Sequence, residues 1–157
     1  MKGISTFLWF DDRALEAADF YVSVFPNSRI LGDDVFTDQR PGKERDVGVV
    51  SFELNGRSFS AINGGPMFSF TPAISLVVSC EGQDEVDYYW ERLCDGGEPS
   101  MCGWLVDRFG VSWQVIPTEL AGLIGGPDPS GSARASAAML QMSKIDIAAL
   151  QSAYDGP

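Results

Sequence analysis

The segment DRFGVSWQVIP, residues 107–117, is typical of a tight turn followed by a β-strand. Its first four residues suit a chain reversal, and the stretch from Val111 to Ile116 is apolar except for Ser112 and Gln114. A strand rich in valine, isoleucine and tryptophan that carries a glutamine at its centre raises the question of what this glutamine does. The place of the strand in the fold decides the answer.

An earlier part of the chain repeats this pattern. GRSFSAI at 56–62 aligns with GVSWQVI at 110–116 through a glycine, a serine, an aromatic residue and an isoleucine, so that Ser60 corresponds to Gln114. Self-similarity of this kind indicates a duplicated unit. A single α+β sheet without duplication is the alternative that these residues leave open.

The first half of the chain has the pattern of a β-α-β-β-β unit. GISTFLWF (3–10) is predicted to be a strand, and a helix capped by Asp11 or Asp12 is predicted to follow it. Asn55-Gly56 is a strong signal for a two-residue hairpin. The apolar stripe of the helix is predicted to consist of Leu15, Ala18, Val22 and Phe25, and the other strands are predicted at 28–36, 46–54 and 57–63, with a polar loop around Pro41 and Gly42.

The second half repeats this order and continues into helices. AISLVVSC (73–80) is predicted to be a strand, residues 83–95 a helix, and 98–117 further strands. In the tail, Asp128 and Asp146 are predicted to cap two helices. Their apolar stripes are expected to dock on the same domain, and docking on a partner subunit is the alternative.

The predicted fold class is therefore α+β, with two tandem βαβββ modules that form curved antiparallel sheets and a C-terminal helical tail. Module one spans 3–66, module two 73–117 and the tail 118–157, within a single domain over 1–157. A length of 157 residues fits one domain.

Composition disfavours several classes of partner. The chain has 22 acidic and 11 basic residues and a pI near 4.2, so it is expected to repel nucleic acids and anionic membrane surfaces. No apolar run approaches the roughly 18 residues of a membrane span, and the N-terminus does not have the pattern of a signal peptide. No nucleic-acid partner and no membrane partner is predicted.

The residues that usually carry catalysis are sparse. The sequence contains no histidine, which excludes any mechanism that uses imidazole as base, nucleophile or metal ligand. Cys80, Cys94 and Cys102 are an odd number of cysteines in no metal-binding spacing. They are interpreted as reduced thiols, which predicts a cytoplasmic location.

Long stretches of the chain nevertheless point to a known family. It resembles the PhnB-like branch of the vicinal-oxygen-chelate superfamily, which includes glyoxalases, ring-cleaving dioxygenases and bleomycin-resistance proteins. This branch is often catalogued as 3-demethylubiquinone-9 3-methyltransferase, and the resemblance implies a glyoxalase-like fold. It is carried by FLWFDDRALEAADFYVSVFPNS (7–28), FSAINGGP (59–66), AISLVVSC (73–80), CGWLVDRFGVSWQVIP (102–117) and AMLQMSKIDIAAL (138–150).

The resemblance gives Gln114 an interpretation. Metal-dependent relatives place His or Glu side chains on four strands that point into a cup, and the corresponding positions here are Ser5 (or Thr6), Ser60, Ala73 and Gln114. Catalytic metal sites use about three imidazole or anionic ligands. Because the residues here offer only hydroxyl groups, a methyl group and an amide, no metal and no cofactor is expected, and Gln114 is interpreted as standing in place of a metal-binding glutamate.

The same resemblance predicts which side chains line the cup. Leu8 and Phe10 are expected to face the helix, Trp113 is expected to point away from the cup, and Val77, Ser112 and Ile116 are expected to face inward. The predicted ligand-binding residues are Phe7, Trp9, Ser60, Asn63, Ser75, Cys102, Trp104 and Gln114. Simpler interpretations are core packing for Trp9 and Trp104, a turn for Asn63 and an inert buried thiol for Cys102.

These observations predict a metal-free protein that binds a small organic molecule, and the resemblance implies a homodimer. No catalytic residue is assigned. One alternative is an enzyme acting on a small oxygenated or quinone-like substrate through carboxylates such as Glu53 or Asp107, although such residues are more simply caps and turns. Another is a structural dimer with an occluded cup. Methyl transfer from S-adenosylmethionine is not favoured, because no glycine-rich turn of a βαβ unit is present.

Overall fold

The computed structural model describes residues 3–38 and 45–156. The chain divides into two compact units, Met1–Phe70 and Thr71–Pro157. The predicted loop around Pro41 and Gly42 lies outside the described residues.

Unit one contains one helix and a four-stranded sheet in the order β1-β4-β3-β2. The edge strand β1 pairs with β4 in parallel, whereas β4 with β3 and β3 with β2 are antiparallel. The elements are β1 (Thr6–Phe10), α1 (Ala14–Val24), β2 (Arg29–Asp38), β3 (Arg45–Leu54) and β4 (Arg57–Asn63).

Unit two repeats this arrangement with the strand order β5-β8-β7-β6, again with a parallel pair, β5 and β8. Three helices follow the last strand. The elements are β5 (Leu76–Cys80), α2 (Gly82–Cys94), β6 (Glu98–Pro99), β7 (Trp104–Val106), β8 (Ser112–Pro117), α3 (Leu120–Ile124), α4 (Pro129–Met139) and α5 (Ile147–Asp155).

The predicted fold class, two tandem βαβββ modules with a helical tail, is confirmed. Two details differ from the prediction. Each sheet is mixed rather than purely antiparallel, because the first strand of each module lies parallel to the last. The strand predicted from residue 73 begins only at Leu76, so that Ala73 and Ser75 precede it.

Helix α1 packs on its sheet through small residues, and the predicted apolar stripe was wrong in part. Leu15, expected to face the core, is 43% exposed. The buried residues of the helix are Ala14, Ala17, Ala18, Tyr21 and Val24. Alanines allow the helix to approach the sheet closely, and Tyr21 then stacks on Phe52 of β3.

The predicted cap of α1 was also wrong. Arg13 occupies the N-cap position and its side chain makes no capping hydrogen bond. The backbone N–H of Ala14 instead donates a hydrogen bond of 2.7 Å to Oδ1 of Asn63, the last residue of β4. A residue 49 positions away therefore satisfies a donor at the helix start, which local sequence patterns do not reveal.

The tail docks on its own unit. Leu120, Leu123, Ala135, Ile145 and Leu150 form a buried cluster, with Ile116 of β8 packed against it. Asp128 accepts a hydrogen bond from the N–H of Ser130, and Asp146 accepts one from Ala149, so both predicted caps are confirmed. Among the described residues, no helix is long and apolar enough to cross a bilayer.

Candidate functional site

Each sheet has one face covered by its helix and an opposite face that is more open. Along β8, Trp113, Val115 and Pro117 are buried, whereas Gln114 and Ile116 are only half-buried. Side chains of a strand alternate between the two faces. Gln114 therefore belongs to the open face of unit two, whereas Ile116 on the same side of the strand packs against the tail cluster.

Gln114 lies at the centre of this open face. Its Cα is paired with Val77 of β5 on one side and with Trp104 of β7 on the other. Its Nε2 donates a hydrogen bond of 2.8 Å to Oγ of Ser75. The amide and hydroxyl pair therefore lies between two apolar side chains. One is the half-buried indole of Trp104, and the other is Val77, which is 57% exposed.

Ser112 lies on the same strand, two residues before Gln114. It is buried, and among the described residues its hydroxyl has no hydrogen-bond partner. An unpaired buried hydroxyl costs about 1–3 kcal/mol. The strand therefore carries a polar group that contributes no stability to the free protein.

Asp107 fixes the position of β8. Its Oδ1 accepts hydrogen bonds from the backbone N–H groups of Phe109 and Val111, and its Oδ2 accepts one of 2.7 Å from Nε1 of Trp113. The carboxyl group is buried. Because Trp113 is held on the helix side in this way, Gln114 is directed to the open side.

The open face of unit one is built from aromatic and small polar residues. Phe7, 58% exposed, is paired with Ser60, and the half-buried Trp9 is paired with Ile62. Nε1 of Trp9 donates a hydrogen bond of 2.9 Å to the carbonyl oxygen of Gly65. The indole is therefore anchored to the segment that follows β4.

The segment after β4 packs closely on Trp9. A Cβ atom at Gly64 would lie 2.1 Å from the indole ring, so only glycine fits there. Phe68 contacts the same indole edge-on, with ring centroids 5.1 Å apart, and is itself 60% exposed. Trp9 thus combines a packing role with a place on the open face.

Two predicted site residues lie apart from these faces. Asn63 is on the helix side of β4, where it holds the start of α1 and lines a cavity of about 130 Å³ together with Gly48. Cys102 is tied to the tail: its N–H donates to the carbonyl of Met142, and its thiol contacts the carbonyl of Met139. Their contacts are those of structural residues.

The remaining predicted residues fall into two groups. Phe7, Trp9 and Ser60 share the open face of unit one, and Ser75, Trp104 and Gln114 share that of unit two. Sequence analysis missed Val49, Ser51 and Ile62, which complete the open face of unit one. The Asn55-Gly56 hairpin could have revealed them, because its register places Ser51 opposite Ser60.

The donors on these faces do not suit a divalent metal ion. Ser75, rather than Ala73, lies beside Gln114, and the pair offers one hydroxyl and one amide. Zinc prefers thiolate, imidazole or carboxylate ligands, and calcium or magnesium requires several oxygens, usually with carboxylates. Among the side chains that the structure describes, no three of His, Cys, Asp or Glu form a group that could hold a metal ion.

Cys80 and Cys94 carry no sign of activation. Burial, reinforced by Glu85, raises the pKa of the Cys80 thiol to about 11. Burial also raises the pKa of Cys94. Because the thiolate is the reactive form, both thiols are protonated and inert at neutral pH.

Comparison with known proteins identifies the family. The family described as 3-demethylubiquinone-9 3-methyltransferase matches residues 2–116. A solved structure from Bacillus cereus, described as a 3-demethylubiquinone-9 3-methyltransferase, PhnB protein, is 37% identical, with a TM-score of 0.65; the match covers 74% of this chain and 100% of that one. No curated protein matches the chain.

More distant structures share the fold alone. Protein PA1353 from Pseudomonas aeruginosa is 18% identical with a TM-score of 0.57, over 74% of this chain and 98% of that one. The fosfomycin resistance protein FosX from Listeria monocytogenes is 16% identical with a TM-score of 0.53, over 77% of this chain and 94% of that one. The match over residues 2–116 and the Bacillus cereus relative show that the chain belongs to the PhnB-like 3-demethylubiquinone-9 3-methyltransferase family.

Proposed function

We propose that this protein binds a small organic molecule without a metal ion. The observation that carries the proposal is the Gln114–Ser75 pair, a half-buried amide and hydroxyl 2.8 Å apart on an open sheet face. Trp104 and Val77 flank the pair. Small-molecule sites are mostly apolar surfaces with a few polar groups that fix the orientation of the ligand.

The donor chemistry supports the metal-free part of this proposal. The pair lacks the carboxylate and imidazole ligands of catalytic metal sites. One FosX structure holds Mn(II) and a phosphonate, but at 17% identity it informs only the fold. Gln114 therefore acts as a hydrogen-bonding group toward a ligand.

Methyl transfer is not supported, although the family's description names it. Domains that bind the methyl donor in a doubly wound fold use a mostly parallel sheet and a glycine-rich turn leading into a helix. Here each sheet has one parallel pair among its four strands. Gly64 and Gly65 follow β4 and lead into turns and coil rather than a helix. An enzyme acting on a small oxygenated or quinone-like substrate is the second candidate.

A homodimer located in the cytoplasm is part of the same proposal. It is supported by the resemblance to dimeric relatives and by the reduced cysteines. Size-exclusion chromatography with light scattering tests it: twice the mass of the 17.0 kDa chain is expected. A monomer at micromolar concentration would contradict the dimer without affecting the binding proposal.

The binding proposal is tested by calorimetric titration with 2-naphthol, 2-naphthamide and 2-naphthylphosphonate. At least one of these probes is expected to bind with 1:1 stoichiometry per chain. Trp104→Leu is expected to weaken that binding about tenfold, since it removes an aromatic anchor. Trp90→Leu, on helix α2, is the matched control and is expected to leave affinity unchanged.

Four outcomes would count against the proposal. Binding of none of the probes to the folded protein would contradict ligand binding at this face, as would equal losses in the two tryptophan variants. A stoichiometric divalent ion detected by mass spectrometry, with binding abolished by EDTA, would contradict the metal-free part. Conversion of a bound molecule into a product would favour the enzyme instead.

A further inference from the structure

Three of the four strands of the unit two sheet carry no charged side chain. Their sequences are LVVSC for β5, WLV for β7 and SWQVIP for β8. The short edge strand β6 adds a carboxylate, Glu98. A bound anion would find no cation on these strands and would meet the net charge of −11 of the whole chain.

The basic residues of unit two lie outside these three strands. Arg108 binds Asp95, Lys144 binds Asp87 at 2.6 Å, and Arg134 donates to backbone carbonyl oxygens at the end of α5. Arg92 lies on α2, which packs against the covered side of the sheet. None of these four cations lies on β5, β7 or β8.

The polar pair offers both donors and acceptors to a neutral partner. Since Nε2 of Gln114 donates to Oγ of Ser75, its second N–H, its Oε1 atom and the Ser75 hydroxyl hydrogen remain for a ligand. A hydroxyl or carboxamide group can both donate and accept hydrogen bonds, which matches this set. A phosphonate carries at least one negative charge at neutral pH, and this charge would be left uncompensated here.

We propose that the open face of unit two selects uncharged, flat molecules that carry a hydroxyl or carboxamide group, and rejects phosphonates and carboxylates. The flat ring packs on Trp104 and Val77 while its polar group bonds to Gln114 and Ser75. This inference rests on the proposed binding function and names the chemical class of its ligand.

The three naphthalene probes share one ring system and differ in charge, so they also test this inference. At matched ionic strength, 2-naphthol or 2-naphthamide is expected to bind at least about tenfold more tightly than 2-naphthylphosphonate. Gln114→Leu is expected to lower the affinity for the neutral probes about threefold to tenfold, as for the loss of one or two hydrogen bonds. Gln151→Leu, on the exposed side of α5, is the control that is expected to change nothing.

A variant with an added positive charge tests the charge preference in the opposite direction. Val77→Lys places a cation beside Gln114 at an exposed position on an edge strand, where lysine is well tolerated. It is expected to strengthen phosphonate binding about tenfold and to leave or weaken 2-naphthol binding. If thermal unfolding shows that Gln114→Leu is not folded, Ser75→Ala, which lies before the strand, measures the same hydrogen-bonding contribution.

The outcomes separate the two proposals. Tighter binding of the phosphonate by the unaltered protein would overturn this inference and leave the binding function intact. The same follows if the loss in Gln114→Leu is no larger than in Gln151→Leu. If no probe binds, the proposed function itself is contradicted and the inference fails with it.

Discussion

The two modules turn the chain at equivalent hairpins by different means. Between β3 and β4, Asn55 and Gly56 form a two-residue turn with φ of 46° and 77°. Between β7 and β8, Gly110 has an equivalent φ of 89°, but the turn is longer and closes around the carboxyl group of Asp107. The first hairpin is set by backbone conformation, the second by one buried side chain.

This difference determines how much each hairpin depends on a single residue. The residue aligned with Asp107 in the repeat is Glu53, whose carboxylate pairs with Arg29 at the surface. Glu53 therefore contributes an ion pair that is screened by solvent. Asp107 instead satisfies three donors, including Nε1 of the buried Trp113, and thereby sets which way β8 faces.

Replacement of Asp107 is expected to have the largest effect. Asp107→Ala leaves the indole N–H of Trp113 and the backbone N–H groups of Phe109 and Val111 without this acceptor, and we expect a loss of about 3–5 kcal/mol in the free energy of unfolding. Urea denaturation monitored by circular dichroism measures it.

The control for this prediction is Glu53→Ala, expected to cost less than about 1 kcal/mol because its partner Arg29 is 70% exposed and the ion pair is screened by solvent. Asp107→Asn retains one acceptor oxygen and should fall between the two. Equal losses for Asp107→Ala and Glu53→Ala would show that the second hairpin does not depend on its buried carboxylate.

The hairpins also show what local sequence patterns can predict. Asn55-Gly56 specifies a turn type through allowed backbone conformations, and the strands on either side were predicted within a residue or two. The fifth strand was predicted to begin at Ala73 and begins three residues later, at Leu76. An apolar run alone does not mark where pairing with β8 begins. The core face of α1 was mispredicted because alanines were given too little weight beside Leu15.

The paths taken after β4 and β8 are a second difference between the modules. The N–H of Gly64 donates to the carbonyl of Phe10, and the N–H of Thr118 donates to the carbonyl of Cys80, so the parallel ladder is extended identically in both. At the position equivalent to Gly64, unit two has Thr118 and so accommodates a side chain. Unit one does not, because the indole of Trp9 lies against Gly64.

Gly64→Ala is therefore expected to destabilise unit one. The added Cβ would overlap the Trp9 ring, and overpacking of this kind costs about 1–3 kcal/mol. Gly122→Ala in helix α3 is the control: a Cβ there meets nothing within 4 Å, so this change should be neutral or slightly stabilising. Denaturation midpoints that shift equally in both variants would rule out a steric origin.

Ser112 and its repeat equivalent Ser58 allow a prediction in which a substitution increases the free energy of unfolding. Ser112 is buried without a hydrogen-bond partner in the described part of the chain, whereas Ser58 is exposed. Ser112→Ala is expected to raise the free energy of unfolding by about 1 kcal/mol, and Ser58→Ala to change it by less than about 0.5 kcal/mol. Destabilisation by Ser112→Ala would show that its hydroxyl is satisfied in solution.

The candidate site was less predictable than the fold for a physical reason. Alternation along a strand correctly placed Trp9 and Gln114 opposite the helix-facing residues, because the period of two is fixed by the backbone. The contacts of Asn63 with α1 and of Cys102 with the tail are made between residues distant in sequence. A motif can identify such residues as unusual but does not show which partner they meet.

The helices of the two modules differ in how their ion pairs are placed, and here the smallest effect is expected. In α1, Arg13 pairs with Glu16 within one turn, whereas in α2, Asp87 pairs with Lys144 of the tail. The hydrogen bond from Lys144, followed by that from Gln83, lowers the pKa of Asp87 below its ordinary value of 3.8. Because this pKa is lower in the folded state, the pair stabilises the fold above pH about 4 and loses its contribution as pH falls through the lowered pKa.

Lys144→Met should therefore lower the free energy of unfolding at pH 7 by less than about 1 kcal/mol, since both partners are partly exposed. The difference from the unaltered protein should shrink as pH falls through the lowered pKa of Asp87, and Lys144→Arg should restore most of it at pH 7. Urea denaturation along a pH series measures this. A difference that stays constant as pH falls would show that Lys144 acts through packing on α2 and not through the charge of Asp87.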